Sequence, residues 1–218
     1  MPELVTIPIS IFEYAVDYER PDFKLWMDRA AIVQGVFEAL KPWEPRIDDV
    51  EPIITGKASE QGFTIKLPLK RVTFFFGPVS CKFTRENVDW QSAKETIAIL
   101  DAAVSALIRC SGVAMGPKNT AISVHLQPKS LPFTALLTPF ISPQLLTLDS
   151  SPVTTMAAVV RWAHRKVTID GSAALANAIF LRFEREFPSM ATYEDIAGQL
   201  RKDEEDLLRT LGVEEERA

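Results

Sequence analysis

The stretch FTIKLPLKRVTFFFGPVSCKFT, Phe63 to Thr84, decides the fold class. Phe63, Ile65, Leu67 and Leu69 alternate with Thr64, Lys66 and Pro68, the period of a half-buried strand. Val72 to Phe76 is a run of strand formers with apolar side chains on both faces. Gly77-Pro78 marks a turn, after which Val79, Cys81 and Phe83 alternate with Ser80, Lys82 and Thr84. These connections are too short for helical crossovers, so the strands must form an antiparallel meander.

Upstream, Val5 to Tyr18 also alternates, but its phase changes. Val5, Ile7, Ile9 and Ile11 share one face, whereas Phe12, Tyr14, Val16 and Tyr18 have the opposite parity. Such a switch predicts a bulge, or a strand passing from one packed layer to another near Ile11-Phe12, with Ile9 and Tyr14 both buried. Pro8 removes a ladder donor and puts the first half at an edge. A helix follows from Pro21-Asp22, with Phe23, Trp26, Met27, Ala30, Val33, Phe37 and Leu40 as its stripe and Lys41-Pro42 as its stop. The second long helix has Ile97, Leu100, Val104, Leu107 and Ile108 on its buried face. Ser92 and Glu95 have the spacing of a capping box, and Gly112 has the place of a left-handed stop.

Ile122, Val124 and Leu126 predict a further strand, and two more are expected around 156–169 and 177–186. Helices do not alternate with single strands, which excludes a doubly wound parallel sheet. The expected fold is α+β: an antiparallel or mixed sheet of roughly six to eight strands, covered on one face by two long helices, with a C-terminal helix. A single domain is expected over 1–190, with a helical appendage over 191–218. Thr192 and Asp195 fit a capping box there, and Ile196, Leu200, Leu207 and Leu211 make an apolar stripe. The segment 128–152 is irregular, Pro-rich and apolar. Pro132, Pro139 and Pro143 break it, so it does not read as a membrane span. It reads as an arm whose Phe133, Leu136, Leu137, Phe140, Ile141, Leu145 and Leu146 pack against another copy of the chain, folding back in cis being the competing outcome.

The 218 residues are 47% hydrophobic with a net charge of −5, which excludes wholesale disorder and a general phosphate-neutralising surface. The N-terminal residues have no basic stretch ahead of an apolar run, so no secretory signal is read and a cytoplasmic location is expected. Two cysteines, Cys81 and Cys110, make no disulfide framework, and both read as buried and inert. Two histidines and two cysteines, far apart in sequence, offer no zinc set, and glycine loops that cradle phosphate are missing. No metal and no cofactor is implied. Asp48, Asp49 and Glu51 beside Lys57 and Lys66 read as a solvated charged turn.

Two features stand above this background. Ser123, His125 and Gln127 share one strand face, and Trp162 and His164 share a side of a later strand. If those strands are neighbours, they form a histidine–tryptophan surface for an anionic or aromatic ligand. The second feature is the tail, whose apolar spacing resembles a helix-turn-helix. Arg201 stands where the turn glycine belongs, however, and Asp203-Glu204-Glu205-Asp206 would repel phosphates. The functional expectation is a non-catalytic binding or assembly protein. Its expected partner is a second copy of the chain, or else another protein; neither membrane nor nucleic acid is expected. One alternative is a small-molecule enzyme with His125 or His164 as its acid–base group, and a weaker one is a DNA-binding regulator acting through 193–211.

Overall fold

In the computed structural model, which describes residues 2–89, 92–142, 144 and 157–216, the alternating segments become ten strands. They are β1 (Glu3–Tyr18), β2 (Val50–Ile53), β3 (Gly62–Leu67), β4 (Val72–Phe76), β5 (Ser80–Glu86), β6 (Met115–Pro128), β7 (Ala158–Arg161), β8 (Arg165–Gly171), β9 (Ile179–Phe187) and β10 (Val213–Glu215). Their order is β2-β3-β4-β5-β1-β6-β9-β8-β7, with β10 joined to β1 in parallel. The meander β2 to β5 and the β7–β8–β9 set are antiparallel. Five α-helices accompany the sheet among the described residues: α1 (Lys24–Met27), α2 (Arg29–Leu40), α3 (Ala93–Ser111), α4 (Phe133–Leu137) and α5 (Tyr193–Leu211). The fold is α+β. Ten strands exceed the expected count because β2, β7 and β10 are too short to show alternation.

The chain divides into two compact units. The larger unit comprises Ile11–Thr120 and Glu186–Ala197; the smaller comprises Met1–Ser10, Ala121–Arg185 and Gly198–Ala218. β1, β6 and α5 each contribute to both. In β1 the phase change falls at Ile9-Ser10 rather than Ile11-Phe12. Val5 is buried with one parity, and Ser10, Phe12, Tyr14, Val16 and Tyr18 with the other, while Ile9 is half-buried. The phase change therefore marks the passage of one continuous strand from one core to another.

The larger unit is built on the meander. Cross-strand register lines up Tyr14, Phe83, Phe74 and Ile65, and beside them Val16, Cys81, Phe76 and Phe63. Ring centroids lie 5.0 Å apart for Phe63–Phe76 and for Phe74–Phe83, within the range of favourable aromatic pairs. Helices α2 and α3 pack on each other and cover this face. The first predicted helix is interrupted at Asp28, whose φ of −130° and ψ of 40° separate α1 from α2. That break shifts the phase. Leu25, Ile32, Val36 and Leu40 are buried, while Phe23 and Met27 stand exposed and the side chain of Trp26 lies outside the described residues. In α3 the buried face is wider than expected, centred on Ile99, Leu100, Ala103 and Leu107, and it leaves Ile108 and Cys110 exposed. Ser92 makes no side-chain cap; it bonds to Asp89 instead, and Glu95 turns to Arg85 and Lys70. The close approach of β3 to β4 needs Gly62, because a Cβ there would lie 2.2 Å from the Phe76 carbonyl oxygen.

The smaller unit has its own core of Val5, Val124, Leu126, Val167, Ile169, Ile179, Leu181, Phe183, Leu211 and Val213. Leu136 and Leu137 of α4 are buried in it, and Phe133 and Ile141 pack against it. This part of the arm thus folds back in cis, because the sheet face needs a cover that no other described helix but α5 supplies. Phe140 remains 44% exposed, and Leu145, Leu146 and Leu148 lie outside the described residues. The region expected to be one strand over 156–169 is a hairpin. Trp162 N–H donates to the Arg165 carbonyl at 2.7 Å across Ala163-His164. No helix among the described residues is long and apolar enough to cross a membrane.

Candidate functional site

The β6–β9–β8 ladder of the smaller unit presents two faces. One is the apolar core. The other carries Ser123, His125 and Gln127 from β6, Phe180, Arg182 and Glu184 from β9, and Lys166, Thr168 and Asp170 from β8, as the alternation of side chains requires. The register sets Lys166 opposite Glu184 and Thr168 opposite Arg182. Lys166 Nζ lies 2.5 Å from Glu184 Oε2, and Arg182 Nη1 donates to the buried Ser123 hydroxyl at 2.9 Å. The cations on this face are therefore already paired within it. Glu184 is held below the usual carboxylate range by Lys166 and Arg182, against the opposing effect of burial.

His125 is half-buried on that face. Its Nδ1 lies 2.7 Å from Ser172 Oγ, and its ring stands 5.2 Å from that of Phe180. Burial holds the imidazole below its ordinary value, which favours the neutral form. Ser172 Oγ also accepts the N–H groups of Ala174 at 3.2 Å and Leu175 at 3.0 Å. With both lone pairs engaged, the hydroxyl proton points at Nδ1, which fixes the proton of His125 on Nε2. Gln127 is exposed and reaches the Ala176 carbonyl at 3.5 Å.

Trp162 and His164 do not join this group. β9 lies between β6 and β8, so the two sequence-predicted strands are not neighbours. Ser172 follows the Gly171 end of β8, whereas Trp162 and His164 sit in the turn before Arg165, roughly 20 Å away along a seven-residue strand. The predicted histidine–tryptophan surface thus separates into two places. At the second place the Arg165 guanidinium lies over the Trp162 ring, 5.1 Å from its centroid, and Trp162 remains 51% exposed.

That turn leads to a residue the apolar stripe concealed. Arg165 and Arg185 are direct cross-strand partners on the core side of β8 and β9, an arrangement that repels. Asp203 of α5, 2% exposed, sets one negative charge against both. It accepts Arg185 Nε at 2.7 Å and Nη2 at 2.8 Å, lies 3.5 Å from Arg165 Nη1, and takes a further bond from Gln199 at 3.0 Å. α5 also runs unbroken through Arg201-Lys202, so the helix-turn-helix spacing is not realised, and Asp203 and Glu204 face inward. The signal was present in the sequence: the stripe Ile196, Leu200, Leu207, Leu211 skips one register position, and an acid fills it.

An apolar corner lies at the outer strand. Leu137, Phe140, Ile141, Ala157, Ala158 and Ile169 line a small hollow beside β7, and Val159 and Val160 of that strand are 60% and 47% exposed. Elsewhere, burial pushes the Cys81 thiol up to about 12, as expected for an inert core cysteine. Cys110 departs from expectation: it is exposed, with Sγ turned toward Gly35. Among the described residues no group of three or more His, Cys, Asp or Glu side chains is placed to hold a metal ion. No family model matches the chain, and a search of curated proteins finds no match.

Proposed function

We propose that the protein is a non-catalytic binding or assembly protein that associates with copies of itself. The observation that carries this is the apolar corner at β7, where Phe140, Val159, Val160 and Trp162 are all about half exposed or more. Fully burying a side chain of this kind contributes roughly 1.5–3 kcal/mol. Phe140, Val160 and Trp162 lie on the face of β7 that carries Ala158, with Val159 on the opposite face, and such exposed apolar groups are a strong incentive to associate. Free thiols at Cys81 and Cys110 fit a reducing, cytoplasmic setting. Sedimentation across a wide concentration range tests the proposal, with Phe140→Asp expected to weaken association while the fold survives. A chain that stays monomeric throughout would end it.

Catalysis by His125 is the rival, and the 2.7 Å contact to Ser172 favours it. Against it, the Ser172 oxygen already accepts two backbone N–H groups, and among the described residues no carboxylate orients the imidazole. Covalent labelling of Ser172 by a fluorophosphonate probe would decide for the enzyme; an unlabelled, folded protein decides against this nucleophile.

A further inference from the structure

We infer that β7 joins two copies of this chain edge to edge, as antiparallel strands related by a two-fold axis at Val160. The inference rests on the self-association proposed above and names its geometry. β2 and β7 are the terminal strands of the sheet order, and they differ in how their edges are defended. β2 carries Pro52 and the charged Glu51, both of which discourage edge pairing. β7 reads Ala158-Val159-Val160-Arg161, with no proline, and among the described residues no strand pairs with its outer edge.

The hairpin fixes which backbone groups are free. Because Trp162 N–H bonds to the Arg165 carbonyl, the antiparallel alternation turns the polar groups of Val160 and Ala158 toward β8. Val159 and Arg161 therefore turn theirs to the open edge. A second β7 can bond only through those same residues, which restricts the axis. An axis at Arg161 sets two guanidinium groups opposite each other, which is destabilising. An axis at Val159 pairs Arg161 with Ala157 and leaves Trp162 outside. An axis at Val160 sets Val159 against Arg161 twice, engaging all the free groups. It also places Val160 against Val160, and the large Trp162 against the small Ala158, on the face that Val160 shares with the buried Val167. Like charges never meet, and the exposed valine and tryptophan extend the core across the axis.

Register-specific cross-linking tests this in a Cys110→Ser background, where Cys81 is buried. Opposed Val160 residues form a non-hydrogen-bonded pair, with Cα atoms about 4.5 Å apart, within disulfide range. Val160→Cys is thus expected to give a disulfide-linked dimer on mild oxidation. Val159→Cys, displaced by two residues and roughly 8 Å from its copy, is expected to remain reduced. Val159→Pro, which removes an outward N–H and leaves the β8 ladder intact, should weaken the dimer about tenfold at an unchanged unfolding midpoint. Cross-linking through Val159→Cys alone would overturn the axis. A dimer indifferent to Val159→Pro and not linked by Val160→Cys would overturn edge pairing while self-association stands. A wild-type monomer at every concentration would overturn both.

Discussion

Replacing Asp203 by Asn removes one negative charge from a position where two guanidinium groups converge. Asp203 is 2% exposed, and the side chains of Arg185 and Arg165 are 21% and 27% exposed. Breaking a buried ion pair from one side costs about 3–5 kcal/mol, and the partial exposure of the arginines puts this case at the lower end, about 3 kcal/mol. Asn keeps the shape but points an amide donor at one of the arginine donors, and the cross-strand pair Arg165–Arg185 loses the charge that Asp203 sets against it. Urea unfolding followed by circular dichroism is the assay. Asp206→Asn is the control on the same helix: its partner Arg209 is 81% exposed, and the loss there should stay under about 0.5 kcal/mol. Adding Arg165→Gln to Asp203→Asn relieves the repulsion and should return roughly 1 kcal/mol. A loss below about 1 kcal/mol for Asp203→Asn, or a deeper loss in the double variant, would refute the reasoning.

Gly62→Ala forces a Cβ to within 2.2 Å of a backbone oxygen and should cost about 2–3 kcal/mol by urea unfolding. Gly198→Ala meets nothing within 4 Å inside α5 and should instead stabilise by about 0.5–1 kcal/mol. His125 is depressed by burial, so the folded state binds its proton less readily than the unfolded chain. Its contribution is therefore whole above the unfolded value of 6.5 and is lost as pH falls through the lower folded value. Proton NMR should show His125 titrating below 6.5, and His125→Asn should flatten that part of the stability profile. Random duplex DNA should show no binding at moderate salt by fluorescence anisotropy; sub-micromolar binding that strengthens as salt falls would contradict the inward placement of Asp203 and Glu204.

The meander and α3 were legible because their side chains obey a single period over many residues. Phe63 to Leu67, Val72 to Phe76 and Cys81 to Phe83 each alternate within their own strand, and the sheet registers follow that alternation. The first helix was misread in phase because a backbone excursion at Asp28 leaves no mark in residue type. Asp203 was missed for a different reason. A buried acid is stable only beside its arginines, and Arg165 and Arg185 become neighbours only once β8 pairs with β9. The His125–Ser172 contact is likewise a product of topology, joining residues from β6 and from the loop after β8. Strand order, which sequence alternation does not encode, also decided that Trp162 and His164 stand apart from His125.

The parallel pairing of Glu3, Leu4 and Val5 with Val213, Glu214 and Glu215 bears on how a growing chain folds. Residues Ile11–Thr120 supply nearly all of the larger unit, so that unit can assemble on the ribosome as soon as β6 has emerged. The beginning of β1 belongs to the other unit and must wait for β10, with almost the whole chain between them. Parallel pairing over so long a loop is slow, because closure entropy is spent before any contact rewards it. In that interval the edge of β1 that β10 will occupy lies open, held only by what β6 offers on its other side. That edge closes only when Val213 to Glu215 takes it, so the last strand made completes the first.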